Sequence, residues 1–219
     1  MCATAALAAH PARATVVYNN GGPNTLTAGD IELNQNTLYD DFSVSTAQSL
    51  NQVDFYIAQA LPGASTYKGT VQYGIFDNTG GNTPGALDTS GSIANATIAD
   101  QHTTDNVGAE IYLVSFNLTV PFALSANHTY WLGLTGATTT NSNDDVFWLQ
   151  TSSSKGTLGA QHSGGSSLAS NPSTTLFGGN LQLAFEFESV PIVAPEPASL
   201  GLLGFGLAAA GFAARRKRP

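Results

Sequence analysis

Three closely spaced pairs of acidic residues are the positions where this chain could do metal chemistry. They are Asp40-Asp41, Asp144-Asp145 and Glu186-x-Glu188. Calcium ions bind oxygen atoms of carboxylates and loop carbonyls, so such pairs are candidate calcium ligands. Adjacent strand residues point to opposite faces, and only Glu186 and Glu188 would share one. Solvated strand faces and turns are the simpler interpretation, so we predict no cofactor and keep calcium as an alternative.

Hydrolysis would need a nucleophile with a base, or two carboxylates at a set separation. The candidate bases His102, His128 and His162 are far apart in sequence, in polar stretches typical of loops. The chain has no Gly-x-Ser-x-Gly, no His-Glu-x-x-His, and no phosphate-loop or dinucleotide fingerprint. We therefore predict no catalytic residue and no enzyme, with a secreted hydrolase as a further alternative.

Aromatic side chains are candidates for glycan binding, because the C–H faces of sugars stack on exposed rings. The candidates are Tyr56, Tyr112, Trp131 and Trp148. Trp131 is out of phase with its apolar neighbours Tyr130 and Leu132, so it would point to the opposite face of a strand. In a sandwich with long loops both faces of a sheet can be covered, which favours core packing for these rings. A carbohydrate-binding module remains an alternative beside the calcium-binding one.

Residues 15–194, called the body below, must position these residues. Their sequence has the pattern of short strands. Val53, Phe55 and Ile57 alternate with polar residues, as in a strand with one buried face. The same alternation recurs at 71–75, 112–120 and 130–134, and two more candidates are 146–149 and 183–187. No segment between residues 15 and 194 sustains a helical period with caps. The pattern predicts an all-β fold, a single antiparallel β-sandwich or jelly-roll-like domain.

Two stretches rich in turn residues are predicted to be loops. Residues 78–85 (NTGGNTPG) combine glycine, asparagine and proline, which favour tight turns. Residues 164–172 (GGSSLASNP) have a low-complexity composition. We expect both to be exposed connections between strands.

The segment from residue 195 onward differs in composition from the body. Pro195, Glu196 and Pro197 precede the apolar run 198–214, and the basic cluster follows it. Seventeen helical residues span roughly 26 Å, near the lower limit for crossing a bilayer core. Basic residues stay on the cytoplasmic side of a membrane, so the body would lie outside. The cluster consists of Arg215, Arg216, Lys217 and Arg218.

This order of motif, span and basic cluster closely resembles the PEP-CTERM sorting signal of exopolysaccharide-producing Gram-negative bacteria. The resemblance implies an exosortase, a membrane-embedded cysteine transpeptidase, as partner. It implies that Pro195, Glu196 and Pro197 are recognised and processed by that enzyme. Prolines on both sides of Glu196 would also keep the motif extended and accessible. Localisation would then be transient anchoring in the inner membrane, followed by delivery to the cell surface or extracellular matrix.

The chain is expected to comprise five segments. Residues 1–14 resemble the remnant of a signal peptide, with Ala12-Arg13-Ala14 before a cleavage site and a mature start near Thr15. Residues 15–189 form the ectodomain and 190–197 a linker that contains the Pro-Glu-Pro motif. Residues 198–214 form a single transmembrane helix and 215–219 a basic cytoplasmic tail.

The charge and cysteine content of the body exclude several classes of function. Between residues 15 and 194 there are fourteen acidic residues against Lys68 and Lys155, a formal charge of −12. Such a surface disfavours nucleic acid and anionic membranes as partners. The single cysteine, Cys2, precedes this body, which excludes disulfides, zinc–thiolate sites and cysteine nucleophiles within it.

The body also looks like the β-sandwich ectodomains found ahead of such tails. The matching segments are 41–44, 71–77 with the loop 83–87, and 124–134. This resemblance implies a jelly-roll-like fold and no activity. We therefore expect an exported, non-catalytic protein of the cell surface or exopolysaccharide matrix, with extracellular polysaccharide as a possible partner and no role for nucleic acid.

Overall fold

The computed structural model describes residues 15–24, 31–59, 66–80, 83–141, 144–151, 159–163, 168–170, 172–176 and 182–189. Thr15–Ser189 form one compact unit. The sorting motif, the apolar run, the basic cluster and the predicted signal-peptide remnant lie outside the described residues. Within the described residues, no helix has the length and apolarity needed to cross a membrane.

The described residues form β-strands and connections, without helix. The first eight strands are β1 (Thr15–Asn19), β2 (Ile31–Glu32), β3 (Asn36–Ser43), β4 (Gln48–Gln59), β5 (Val71–Thr79), β6 (Thr83–Ile93), β7 (Thr97–Thr104) and β8 (Glu110–Leu124). The remaining strands are β9 (Thr129–Thr135), β10 (Val146–Trp148), β11 (Gln150–Thr151), β12 (Gly159–Ser163), β13 (Thr175–Leu176), β14 (Gln182–Leu183) and β15 (Phe185–Ser189).

The first sheet is built around the long strand β4. β8 pairs along one side of β4, and β7 pairs with β8. On its other side β4 pairs with β15 near Phe55 and with β10 near Ile57. β15 then pairs with β1, and β10 with β2, all antiparallel. Thr15 lies opposite Ser189, so the two ends of the sandwich domain meet in one strand pair.

The second sheet has the order β13-β12-β3-β9-β5-β6, also antiparallel, and β11 and β14 form a separate short pair. The main core joins the inner faces of the two sheets. The alternating positions predicted from the sequence lie there: Val53, Phe55, Ile57, Val71, Tyr73, Ile75, Tyr112, Val114, Phe116, Leu118, Tyr130, Leu132 and Leu134 are all buried. The prediction of an all-β fold with antiparallel sheets packed as a sandwich is therefore confirmed.

The outer face of the second sheet carries a second apolar cluster. Tyr39, Phe76, Trp131 and Ala160 are buried there, with Leu87 and Leu168 packed against them. Gly133 pairs with Gly74 on one side and Tyr39 on the other. A Cβ at Gly133 would lie 2.8 Å from Cε2 of Phe76 and 2.8 Å from Cε1 of Tyr39. The glycines therefore leave the space in which these two rings lie.

Several boundaries differ from the sequence prediction. The predicted loop 78–85 is largely hairpin, because Asn78 pairs with Pro84 and Thr79 with Thr83. β6 and β7 were not predicted, since their polar composition hides the period of two. Val120, expected at the end of a buried series, is 66% exposed. Val120 lies in a register irregularity of β8, between Asn117, which pairs with Gln52 of β4, and Phe122, which pairs with Leu50.

Candidate functional site

A groove runs between edge strand β1 and the connection from β3 to β4. Its volume is about 500 Å³, and its lining comprises residues 16–19, residues 43–45, Gln48 and Asn127. Every lining side chain is uncharged. Asn127 has a φ of 56° in the turn before β9, and its N–H donates to the Val44 carbonyl at 2.7 Å. That bond holds the turn against the end of β3.

Internal hydrogen bonds hold the β1 wall of the groove in place. The Tyr18 hydroxyl donates to Oδ1 of Asn20 at 3.0 Å, and the ring stacks on Phe185 with centroids 5.6 Å apart. Asn19 donates from its amide to the Glu186 carboxylate and accepts from the Gly21 N–H at 2.6 Å. β1 is therefore fixed to β15, and its other edge is left for the groove. The sequence signal for it was the uncharged run TVVYN, which the prediction did not single out.

Asp40 is fully buried on the inner side of the second sheet. Its Oδ2 accepts the Leu183 N–H at 2.5 Å, while Oδ1 has no hydrogen-bond partner among the described residues. Burial raises the pKa of Asp40 well above its ordinary value, the Leu183 N–H opposes this, and neighbouring Asp41 adds to it. Burial, with the charges of Asp40 and Asp41, also raises the pKa of Tyr18. The sequence showed the acid pair but not that both members are buried, Asp40 completely and Asp41 with 6% exposure.

The other acid pairs have separate surroundings. Asp144 is buried and accepts hydrogen bonds from Gln59, at 3.2 Å, and from the Thr66 hydroxyl. Asp145 accepts from the Asn34 amide at 3.2 Å. Both acids are therefore tied into the strand connections around β10.

Glu186 and Glu188 lie on one face of β15, as predicted, opposite Asp54 and Gln52 of β4. Burial, followed by the charge of Asp54, raises the pKa of Glu188. In the part of the chain that the structure describes, no three His, Cys, Asp or Glu side chains converge as metal ligands. The structure thus brings two of the predicted acids together without forming a metal centre from described residues.

The three candidate histidines lie far apart. His102 and His162 lie in strands β7 and β12, not in loops as predicted, and His128 lies in the turn before β9. His128 Nε2 is 2.7 Å from Asp77 Oδ1, and that hydrogen bond holds the pKa of Asp77 below its ordinary value. His102 pairs with Asp100 at 3.1 Å. Among the described residues, none of the three histidines hydrogen-bonds a serine hydroxyl.

Three of the four candidate glycan-stacking rings are buried. Trp131 is 1% exposed and donates from Nε1 to Asn78 Oδ1 at 2.9 Å. Trp148 is fully buried and donates to the Ala184 carbonyl at 3.0 Å. Tyr112 is buried, and its hydroxyl contacts Glu110. Core packing, the favoured interpretation, is confirmed for these rings, and only Tyr56 keeps a half-buried position.

Comparison with known proteins identifies the C-terminal signal. Residues 193–218 match the family model described as the PEP-CTERM protein-sorting motif. The match contains Pro195, Glu196 and Pro197, the apolar run and the basic cluster. No curated protein matches the chain. The motif supports export and exosortase-mediated sorting in Gram-negative bacteria. The chain therefore carries a PEP-CTERM protein-sorting motif at residues 193–218.

Proposed function

We propose that this protein is a non-catalytic structural component of the cell surface or exopolysaccharide matrix, delivered there by an exosortase. The match of residues 193–218 to the PEP-CTERM motif carries the proposal. An exosortase recognises Pro195-Glu196-Pro197 and cuts the chain near it. Residues 198–214 hold the precursor in the inner membrane until that step, with residues 215–218 on the cytoplasmic side.

The interior of the sandwich supports a structural role. Among the described residues, the fully buried aromatic side chains fill cores on the inner and outer faces of the sheets. Among the described residues, the histidines contact carboxylates or a backbone carbonyl, and none is hydrogen-bonded to a serine hydroxyl, the pairing that activates a serine nucleophile. An acidic β-sandwich is suited to a hydrated extracellular setting.

The sorting step is tested by deletion of residues 195–219, followed by fractionation of cells, matrix and medium. We expect the full chain in the surface and matrix fractions and the truncated chain displaced from them. Replacement of Pro195 and Pro197 by alanine should reproduce the displacement, whereas Pro191→Ala, a proline outside the motif, should not. Identical partition of the full and truncated chains would refute the proposal.

Calcium binding by the ectodomain is the alternative with a specific observation in its favour. Glu186 lies directly opposite Asp54 across β15 and β4, and like charges so placed are destabilising. A divalent cation would relieve that repulsion. Our proposal, which needs no cofactor, predicts the same melting temperature in calcium and in chelator. A melting temperature that is higher in calcium than in chelator would favour the alternative, provided that Asp54→Asn abolishes the difference.

A further inference from the structure

A carboxamide, a hydroxyl and a carboxylate meet where strand β4 ends. Nε2 of Gln59 is 3.0 Å from Oγ1 of Thr66 and 3.2 Å from Oδ2 of Asp144. The Thr66 hydroxyl donates to the same Oδ2 atom. Gln59 is 1% exposed and Asp144 is 2% exposed, while Thr66 is half-buried. One carboxylate oxygen therefore contacts both a hydroxyl and the nitrogen of a carboxamide.

Backbone hydrogen bonds hold the three side chains in this arrangement. Gln59 lies between strands β8 and β10 and pairs with both. The Thr66 carbonyl accepts the Thr140 N–H at 2.8 Å, and the Asp144 N–H donates to the Asn141 carbonyl at 3.1 Å. Groups that are fixed next to each other react as if they were at very high concentration. The three groups are thus positioned for a reaction between side chains.

The reaction that these groups support is the transfer of an acyl group from nitrogen to oxygen. A hydroxyl becomes a nucleophile when a neighbouring base accepts its proton, and the Asp144 carboxylate contacts the Thr66 hydroxyl. The amide carbon Cδ of Gln59 is bonded to Nε2 at about 1.3 Å, so it lies within roughly 4.3 Å of Oγ1 of Thr66. A movement of about 1 Å brings the two atoms to reacting distance.

We propose that Oγ1 of Thr66 attacks Cδ of Gln59, so that an ester joins the two side chains. The hydroxyl proton passes to Oδ2 of Asp144. The bond between Cδ and Nε2 then breaks, and Oδ2 returns the proton to the departing nitrogen, which is 3.2 Å away. The products are one ester and one molecule of ammonia. Asp144 is a carboxylate again at the end, and the step needs no electron transfer and no co-reactant.

Burial and the release of ammonia favour the ester once it has formed. Ammonia diffuses away and is diluted outside the protein. Little water reaches a bond that lies beside Gln59 and Asp144, because these residues are 1% and 2% exposed. The reaction occurs once in each molecule, so a slow rate is sufficient.

The ester gives a covalent link to a body that has no cysteine. β4 belongs to the first sheet, and Thr66 precedes β5 of the second sheet. The ester therefore closes the connection between the two sheets, in a chain where no disulfide can do so. It modifies the chain itself and turns over no substrate, so it goes beyond the proposed structural function without replacing it.

A second contact between a glutamine and a threonine provides an internal control. Nε2 of Gln48 donates to Oγ1 of Thr46 at 3.1 Å, in an exposed position. Among the described residues, no carboxylate hydrogen-bonds to either of these two side chains. Without a base and without burial, this pair should not react.

The test is mass spectrometry of the exported protein after digestion with trypsin. Trypsin cuts after Lys68, and residues 46–66 then lie in one peptide. We expect this peptide to be lighter by about 17 Da, the mass of ammonia. Fragment ions from chain cleavage between residues 59 and 66 should be missing, and those from cleavage between residues 46 and 48 should be present. An intact Gln59, or a mass loss located at another residue, would overturn the proposal.

Three variants identify the groups that react. Thr66→Val keeps the shape of the side chain without the hydroxyl, and Asp144→Asn removes the base, so both variants should keep the full mass. Thr66→Ser should again lose about 17 Da, because serine retains a nucleophile. The same loss in Thr66→Val would contradict the proposal. A loss of about 18 Da, the mass of water, would indicate an ester between Thr66 and Asp144 and would also overturn it.

Discussion

Asp40 shows how one residue links the sequence pattern to the pH dependence of stability. The unfolded chain deprotonates this carboxyl near pH 4, whereas burial raises its pKa in the folded protein. The stability associated with the neutral carboxyl is therefore complete below about pH 4 and is lost as pH rises toward the folded pKa. At neutral pH the burial of Asp40 therefore lowers the free energy of unfolding of the sandwich, because it disfavours the charged form of the carboxyl.

Asp40→Asn should remove that cost, because asparagine stays neutral and its carbonyl can still accept the Leu183 N–H. We expect the free energy of unfolding at pH 7 to rise by on the order of 1–3 kcal/mol. Near pH 3 the gain should vanish, which urea titrations at both pH values would measure. A variant less stable than the native chain at pH 7 would contradict the burial of a neutral carboxyl.

Trp131 is a core residue whose indole N–H depends on Asn78. Trp131→Ala should lower the free energy of unfolding by about 3–5 kcal/mol through the cavity it leaves. Asn78→Ala should lower it by about 1–3 kcal/mol, because the buried N–H loses its partner. Chemical denaturation measures both values. A loss below about 1 kcal/mol for Trp131→Ala would mean that the ring is exposed and free to stack on sugar.

At the scale of elements, the glycine pair of β5 and β9 determines how the outer face of the second sheet is covered. A methyl group at Gly133 would meet the rings of Phe76 and Tyr39. We expect Gly133→Ala to lower the free energy of unfolding by about 1–3 kcal/mol through overpacking. Gly22→Ala is the control, since nothing lies within 4 Å of its Cβ position. Equal melting temperatures for the two variants would show that the rings can move aside.

Strand β4 and its partners could be predicted from the sequence because one face is buried and the other is polar. Val53, Phe55 and Ile57 carry that period without interruption. β9 could be placed, but the burial of Trp131 on its second face depends on Leu87 and Leu168, which are distant in sequence. β6 and β7 were missed because edge strands of serine, threonine and aspartate have little apolar alternation to detect.

Contacts between residues that are distant in sequence also could not be predicted at the candidate sites. Acid pairs and histidines were visible as residue types, whereas their partners come from strands far along the chain, such as Leu183 for Asp40. The β1 groove could not be predicted, because it exists only once β1 lies at an edge beside residues 43–45. Only the sorting motif is contiguous, and only it was identified in full from the sequence.

At the scale of the whole molecule, the sandwich domain is a closed unit whose two ends pair in one strand ladder, Thr15 with Ser189. All the described strands and the described core residues lie between Thr15 and Ser189. Removal of residues 193–218 would therefore remove none of the described strands. A sorting signal that is cleaved off must lie apart in sequence from the strands of the domain it delivers, as residues 193–218 do from the described strands.

The most direct test of the central claim is the intact mass of the exported protein. Our account predicts a mature chain that ends near Pro195-Glu196-Pro197 and lacks residues 198–219. In a strain without the exosortase, the same measurement should find residues 198–219 still attached. Exported protein that keeps its full C-terminal sequence in the presence of the exosortase would contradict the account.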